Sequence, residues 1–154
     1  MPEDAGAWAG ALRRVGLRAT PQRLAVLAAL EALPHPDADS VWAAVQQSHP
    51  SMSLATVYNT LERLGEAGLI QALRVGERRR YDPRPDPHYH LYCRNCHALV
   101  DIDPEWAPEP GPAGAGWQVE RVAVTWIGLC PRCRDRQEKA PPSGEAAGLL
   151  RPDS

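Results

Sequence analysis

No run of apolar residues in this 154-residue sequence is long enough to cross a bilayer. The longest, Leu24 to Leu30, stops at Glu31, whereas a spanning helix needs about 20 residues. No basic stretch followed by an apolar core opens the chain, which starts Met1-Pro2-Glu3-Asp4, so no secretory signal and no membrane contact are expected, and a cytoplasmic protein is. Lysine is almost missing: Lys139 is the only one among 17 basic residues, and no function is read from that bias. Residues 1–80 carry a net charge of +1 and residues 81–154 one of −3, so bulk charge alone does not imply nucleic acid. With 44% hydrophobic and 23% charged residues, the composition excludes a collagen-like or wholly disordered chain. The length allows one domain or two small ones.

The first half reads as helices. Residues 1–10 are small and polar and expected to be loosely held, with a helical period starting near Ala11. Thr20-Pro21 is a helix start, and Leu24, Leu27, Ala28 and Leu30 give that helix an apolar face that ends before Pro34. Asp37 or Asp39 can cap a third helix carrying Val41, Trp42 and Val45. Ser53 caps a fourth, with Leu54, Val57, Leu61 and Leu64 at three- and four-residue steps and Gly68 at its end. Residues 69–81 then read as two strands around the glycine turn Val75-Gly76-Glu77. Helices followed by a hairpin make a winged helix-turn-helix. Its fourth helix turns Ala55, Thr56, Tyr58, Asn59, Glu62 and Arg63 outward, groups suited to base edges and phosphates, and Arg78, Arg79 and Arg80 on the wing suit phosphates.

Asp82-Pro83-Arg84-Pro85-Asp86-Pro87 reads as a hinge. Beyond it, residues 90–103 read as strand, Cys-x-x-Cys turn and strand, residues 104–116 as a Pro/Gly/Ala-rich loop, and residues 117–129 as an alternating strand. From about Arg134 the chain is polar and is expected to be a disordered tail. The domains expected are thus 1–81 for the winged helix, 82–87 for the hinge, 88–135 for a metal-binding domain, and 136–154 for the tail, an α+β protein as a whole.

Two pairs, Cys93/Cys96 and Cys130/Cys133, can supply a tetrahedral four-sulfur shell for structural zinc; a redox dithiol is the competing reading. His88 and His90 lie two apart, which on a strand puts both rings on one face. Asp82 and Asp86 precede them, and Asp101 returns across the hairpin. Such mixed imidazole and carboxylate donors suit Fe(II), Mn(II) or Zn(II). From spacing alone, His35, His49 and His97 read as ordinary solvated residues. A zinc deaminase is excluded by the lack of any His-x-Glu. A zinc-ribbon interaction module would leave the fourth helix and arginine-rich wing unexplained.

Leu17-Arg18-Ala19-Thr20-Pro21-Gln22-Arg23, His35-Pro36-Asp37-Ala38, residues 53–61, His88-Tyr89-His90-Leu91-Tyr92-Cys93-Arg94-Asn95-Cys96 and Gly128-Leu129-Cys130-Pro131-Arg132-Cys133 together resemble the ferric uptake regulator (Fur) family. The resemblance spans roughly residues 10–135. It implies a homodimeric, metal-dependent repressor, not an enzyme, acting on a palindromic operator in double-stranded DNA, with residues 88–135 as a small α/β dimerisation domain that holds structural zinc and Arg18 added to the DNA contacts. The ligand pattern is similar to the peroxide-sensing (PerR) branch, which implies a regulatory Fe(II) or Mn(II) site of His35, Asp82, His88, His90 and Asp101, with His35 or His88 oxidised when peroxide meets Fe(II). A plain manganese, iron or zinc uptake regulator is the alternative. Residues also depart from the family: His97 stands where glycine commonly follows the knuckle, and Pro87, Tyr89 and residues 121–126 lack the ligands of a second regulatory site. The proline-rich loop before Trp117 argues against the family's helix there.

Overall fold

The computed structural model describes residues 5–103, 105 and 108–138. Helix α1 (Ala5–Arg14) is followed by α2 (Pro21–Ala32), α3 (Ala38–Val45) and α4 (Leu54–Glu66). Thr20 Oγ1 accepts the Arg23 N–H at the start of α2, with Pro21 at the first helical position. Asp37, not Asp39, caps α3, its carboxylate accepting the Ser40 N–H at 2.9 Å. Ser53 caps α4 through the Thr56 N–H at 3.1 Å. At the far end of α4, the Leu69 N–H reaches the Leu64 carbonyl and the Gly68 N–H that of Gly65. That paired closure needs a left-handed residue, and Gly68 has φ of +71°.

Leu12, Val26, Leu27, Leu30, Val41, Val45, Val57, Leu61 and Leu64 interlock as one core. Each such side chain contributes about 1.5–3 kcal/mol through burial. Helix α1 takes in residues 5–10, contrary to the expectation of a loose stretch there, while residues 1–4 lie outside the described residues. Trp8 and Leu12 stand four apart on one face: Leu12 is fully buried, and Trp8 packs on the core and donates its indole N–H to Glu31 at 2.6 Å. The turn between α3 and α4 is pinned at the Met52 carbonyl, which accepts from Trp42 Nε1 and Gln46 Nε2.

The wing is an antiparallel pair, β1 (Gln71–Val75) and β2 (Arg78–Asp82), joined by a two-residue turn with Gly76 at φ +63°. Asp82 therefore closes a strand rather than opening the hinge. A second sheet has the order β4-β3-β5: β3 (Tyr89–Cys93) pairs antiparallel with β4 (Leu99–Ile102) and parallel with β5 (Thr125–Gly128). Residues 108–124 are irregular apart from a short 3₁₀ turn, Pro112–Gly114. Only Thr125–Gly128 of the expected strand 117–129 pairs in the sheet, opposite His90–Cys93, with the Val124 carbonyl accepting the His90 N–H just before it. Trp117 is 78% exposed and Val119 51%, so the alternation there does not mark a face buried within one chain. Helix α5 (Pro131–Glu138) corrects the expectation of a disordered tail from Arg134: Pro131 starts it, and the Cys133 and Arg134 N–H groups close its first turn on the Cys130 carbonyl. The rest of the expected tail, and residues 104, 106 and 107 of the expected loop, lie outside the described residues. No helix among the described residues is long and apolar enough to cross a membrane.

Candidate metal centres and DNA-reading face

The register of the second sheet sets His90 directly opposite Asp101, and His88 lies just before β3 with its ring centre 4.6 Å from that of His90. Asp82 arrives at the end of the wing. His35 comes from the loop after α2, drawn in by two bonds from β2: the Tyr81 N–H to the Pro36 carbonyl at 2.9 Å, and Arg80 Nη1 to the His35 carbonyl at 3.2 Å. His35 has φ of +45°, a left-handed conformation that costs a non-glycine residue about 1–2 kcal/mol. Its flanking prolines and these bonds hold it there.

One donor atom from each of His35, Asp82, His88, His90 and Asp101 lies within 4.8 Å of all the others. Asp82 Oδ2 is 2.6 Å from His88 Nε2, 3.4 Å from His90 Nε2 and 3.5 Å from His35 Nε2. Asp101 Oδ1 is 2.7 Å from His35 Nε2 and 3.5–3.6 Å from the other two rings. The three histidines and Asp82 are buried. Burial works against the Asp82 charge, but the imidazoles of His35 and His90, the Arg84 N–H and His88 outweigh it and hold the carboxyl far below its ordinary range. Burial likewise pulls His35 down, yet Asp82 and Asp101 outweigh it and raise its pKa above the ordinary 6.5.

These donors fit a metal ion. Both ring nitrogens of His35 are buried without a hydrogen-bond partner, although Nε2 lies close to Asp101. The His35 ring is thus close to its neighbours without being bonded to them, whereas His88 and His90 do reach Asp82 Oδ2. His88 Nδ1 lies 2.7 Å from the Asp86 carbonyl, which can only accept, so Nδ1 donates there and Nε2 is the nitrogen left to face a metal. The Arg84 N–H fixes Asp82 in turn, at 2.7 Å from Oδ1.

The four cysteines form a second cluster, all free of disulfides, each sulfur within 4.8 Å of the others. Cys96 and Cys130 sulfurs stand 3.7 Å apart. Zn–S bonds of about 2.3 Å put tetrahedral sulfurs about 3.8 Å apart, so the cluster suits structural zinc. The Cys130 N–H donates to Cys93 Sγ at 3.3 Å, and this and further backbone N–H groups lower the Cys93 thiol to about 6. Cys96 is pulled down by the Ala98 N–H but pushed up by the other thiols, to about 11. Asn95 Nδ2 supports Cys133 Sγ at 3.2 Å. His97 follows the knuckle at φ +60°, the conformation for which glycine is the easier residue.

Ala55, Tyr58, Asn59, Glu62 and Arg63 line the exposed side of α4, with Thr56 half-buried beside them. Thr20, Arg23, Thr56, Asn59 and Arg63 border one groove between the start of α2 and α4. Arg18 is exposed at its edge, its carbonyl accepting from Arg23 at 2.7 Å. On the wing, Arg79 is exposed over the Tyr81 ring, while Arg78 pairs with Asp37 at 3.0 Å and Arg80 is engaged by His35. The sequence names Asp37 as a helix cap and Asp86 as a carboxylate near the histidines, but not the supporting roles that Asp86, Arg84, Asn95 and Asp37 take here. For the hinge pair, the signal was present in the three alternating prolines, which leave few N–H groups to satisfy local carbonyls.

A winged helix joined to a small sheet, with a four-sulfur knuckle and a five-donor site bridging the two, defines a metal-dependent DNA-binding regulator. Residues 14–112 match the ferric uptake regulator family, and the chain belongs to that family. It is 35% identical over 131 residues to the peroxide operon regulator of Bacillus subtilis, covering 82% of this chain and 90% of that one. Identity to the transcriptional regulator FurA of Mycobacterium bovis is also 35% over 131 residues, covering 82% and 89%. Among solved structures, the Campylobacter jejuni peroxide stress regulator matches with a TM-score of 0.61 and 26% identity, covering 85% of this chain and 99% of that one. Members of the family are transcriptional regulators that bind DNA as dimers and are not enzymes. Peroxide regulators, FurA proteins and a ferric uptake regulation protein all occur among the relatives, which therefore do not choose between the branches.

Proposed function

We propose that this protein is a homodimeric repressor that binds a palindromic operator when its five-donor site is filled by Fe(II) or Mn(II), and that it senses hydrogen peroxide by oxidation of His35 or His88. The observation that carries this reading is the ligand set itself: three imidazoles and two carboxylates, with His35 from the winged helix and His88, His90 and Asp101 from the sheet. Asp82 stands between them, at the end of β2. Occupancy of one set of facing donors by one ion ties residues 1–81 to residues 88–135 across the hinge 82–87. The angle between two wings in a dimer sets whether both reach their half-sites. With the donors unfilled, DNA binding must also bear the cost of ordering that angle.

Fe(II), if held by these donors, would supply the redox chemistry that activates peroxide and would be regenerated. In the net reaction, one oxygen of hydrogen peroxide is inserted into an imidazole C–H bond of His35 or His88 and the other leaves as water, the two electrons that reduce peroxide coming from the ring. The oxidised ring no longer serves as a ligand, the two halves uncouple and the operator is released. Zinc in the Cys93/Cys96/Cys130/Cys133 knuckle is structural in this account. Arg18, Ala55, Thr56, Tyr58, Asn59, Arg63, Arg78, Arg79 and Arg80 supply the DNA contacts. Dimerisation through the sheet is supported by a row of exposed apolar side chains across β4, β3 and β5: Val100, Leu91 and Trp126, in register with one another.

The test is mass spectrometry of anaerobically Fe(II)-loaded protein before and after brief peroxide exposure, with Mn(II)-loaded protein as control. One added oxygen on His35 or His88, in the iron form alone, is expected. Unmodified histidines with operator binding intact would leave a regulator of metal level only. Oxidation at the cysteines would move the sensor to the knuckle.

A further inference from the structure

The hinge between the two halves contains Pro83, Pro85 and Pro87, so half of its residues have no N–H to donate. Of the two N–H groups on its non-proline residues after Asp82, that of Arg84 is spent on Asp82. The carbonyls of Arg84, Pro85 and Asp86 must be satisfied from elsewhere. One side chain converges on all three: Gln71 Nε2 lies 3.1 Å from the Arg84 carbonyl and 3.3 Å from those of Pro85 and Asp86. Three acceptors require a donor, so the amide nitrogen must be the end that faces them. Gln71 starts β1 and stands directly opposite Asp82 in the wing register, on the same face of the hairpin. The Asp86 carbonyl is also the partner of His88 Nδ1.

We propose that Gln71 is a positioning residue of the regulatory site: its amide holds the hinge carbonyls so that the Asp86 carbonyl presents His88 with Nε2 free for the metal, coupling the wing strand to the ligand. The inference rests on the five-donor site being the regulatory metal site. It extends that site into the DNA-binding half by a residue that touches no metal. The hinge is gripped from its other side as well, by the ion pair of Arg84 with Asp103 just past β4. The two grips differ in kind. The Arg84 pair is solvent-exposed and contributes little, whereas Gln71 acts on the carbonyl that orients a ligand.

The experiment uses full-length, zinc-loaded protein with the regulatory metal removed. Three forms are compared: wild type, Gln71→Met, which keeps length and loses the donor, and Gln71→Lys, which restores a donor at similar reach. Lysine adds a charge that repels a cation, so any recovery of metal binding comes from the donor. Partners that orient metal ligands are worth about 10–100-fold in affinity. Mn(II) binding should weaken about tenfold in Gln71→Met and return to within about threefold of wild type in Gln71→Lys. In the metal-free state, backbone ¹⁵N order parameters at Arg84 and Asp86 should fall in Gln71→Met while those of α4 stay unchanged, a local loosening that general destabilisation would not give. Mn(II) affinity in Gln71→Met equal to that of wild type would overturn the inference alone. Absence of Mn(II) binding by wild type would overturn the site reading, and this inference with it.

Discussion

Asp82 touches every histidine of the regulatory site, and a single oxygen, Oδ2, lies within 3.5 Å of all three Nε2 atoms. That convergence makes the site a contest between protons and metal. His35 holds its proton above the ordinary 6.5, so in the metal-free chain the charged ring contributes stability that is full below 6.5 and lost as pH rises through the raised value. Asp82 is depressed, so its contribution is full above 3.8 and lost only as pH falls toward its low folded value. Metal must displace the His35 proton. The rise in melting temperature on adding Mn(II) should therefore shrink as pH falls from about 8 to about 6. A rise that stays constant or grows would contradict this assignment. At this scale the sequence was informative where donors are close along the chain. The two-residue step of His88 and His90 and the return of Asp101 across a short hairpin need only strand geometry. His35 was different: spacing alone reads it as a solvated loop histidine, and only the family resemblance sets it among the ligands. Its place depends on the Tyr81 and Arg80 bonds to residues 35 and 36, which join segments 45 residues apart.

Among the elements, α4 connects capping, core and function most directly. Val57, Leu61 and Leu64 face the core while Tyr58, Asn59 and Arg63 face out. Tyr58 is 45% exposed, so its removal leaves that core intact. Tyr58→Ala should weaken operator binding about 5- to 150-fold, the value of about one to three kcal/mol of lost contact, with Mn(II) affinity unchanged. Equal operator affinity in gel-shift titrations would remove α4 as the reader. Arg78 is a poorer probe, because Arg78→Ala also removes its ion pair with Asp37 at the start of α3. Helices α2, α3 and α4 were legible because each has its own cap and apolar stripe. The start of α1 was not, since Ala-rich Ala5–Gly10 carries its signal in one tryptophan that finds its partners only in the tertiary core. Residues 117–124 mislead for the opposite reason: their alternation is genuine, but pairing requires a neighbouring strand, and β3 takes only Thr125–Gly128.

For the whole molecule, the account makes one claim: a single site, with donors from both halves, converts metal occupancy into operator affinity. Coupling of this kind is typically 1–3 kcal/mol, or about 5–150-fold. His35 is the ligand that reaches over from the winged helix, and four donors remain on Asp82, His88, His90 and Asp101 without it. The most direct measurement is operator affinity with and without saturating Mn(II), for wild type and for His35→Ala, with occupancy verified in each. The account predicts that Mn(II) strengthens binding at least about fivefold in wild type and less than about twofold in a fully occupied His35→Ala. Equal strengthening in both would show that metal acts on DNA binding without joining the two halves through His35.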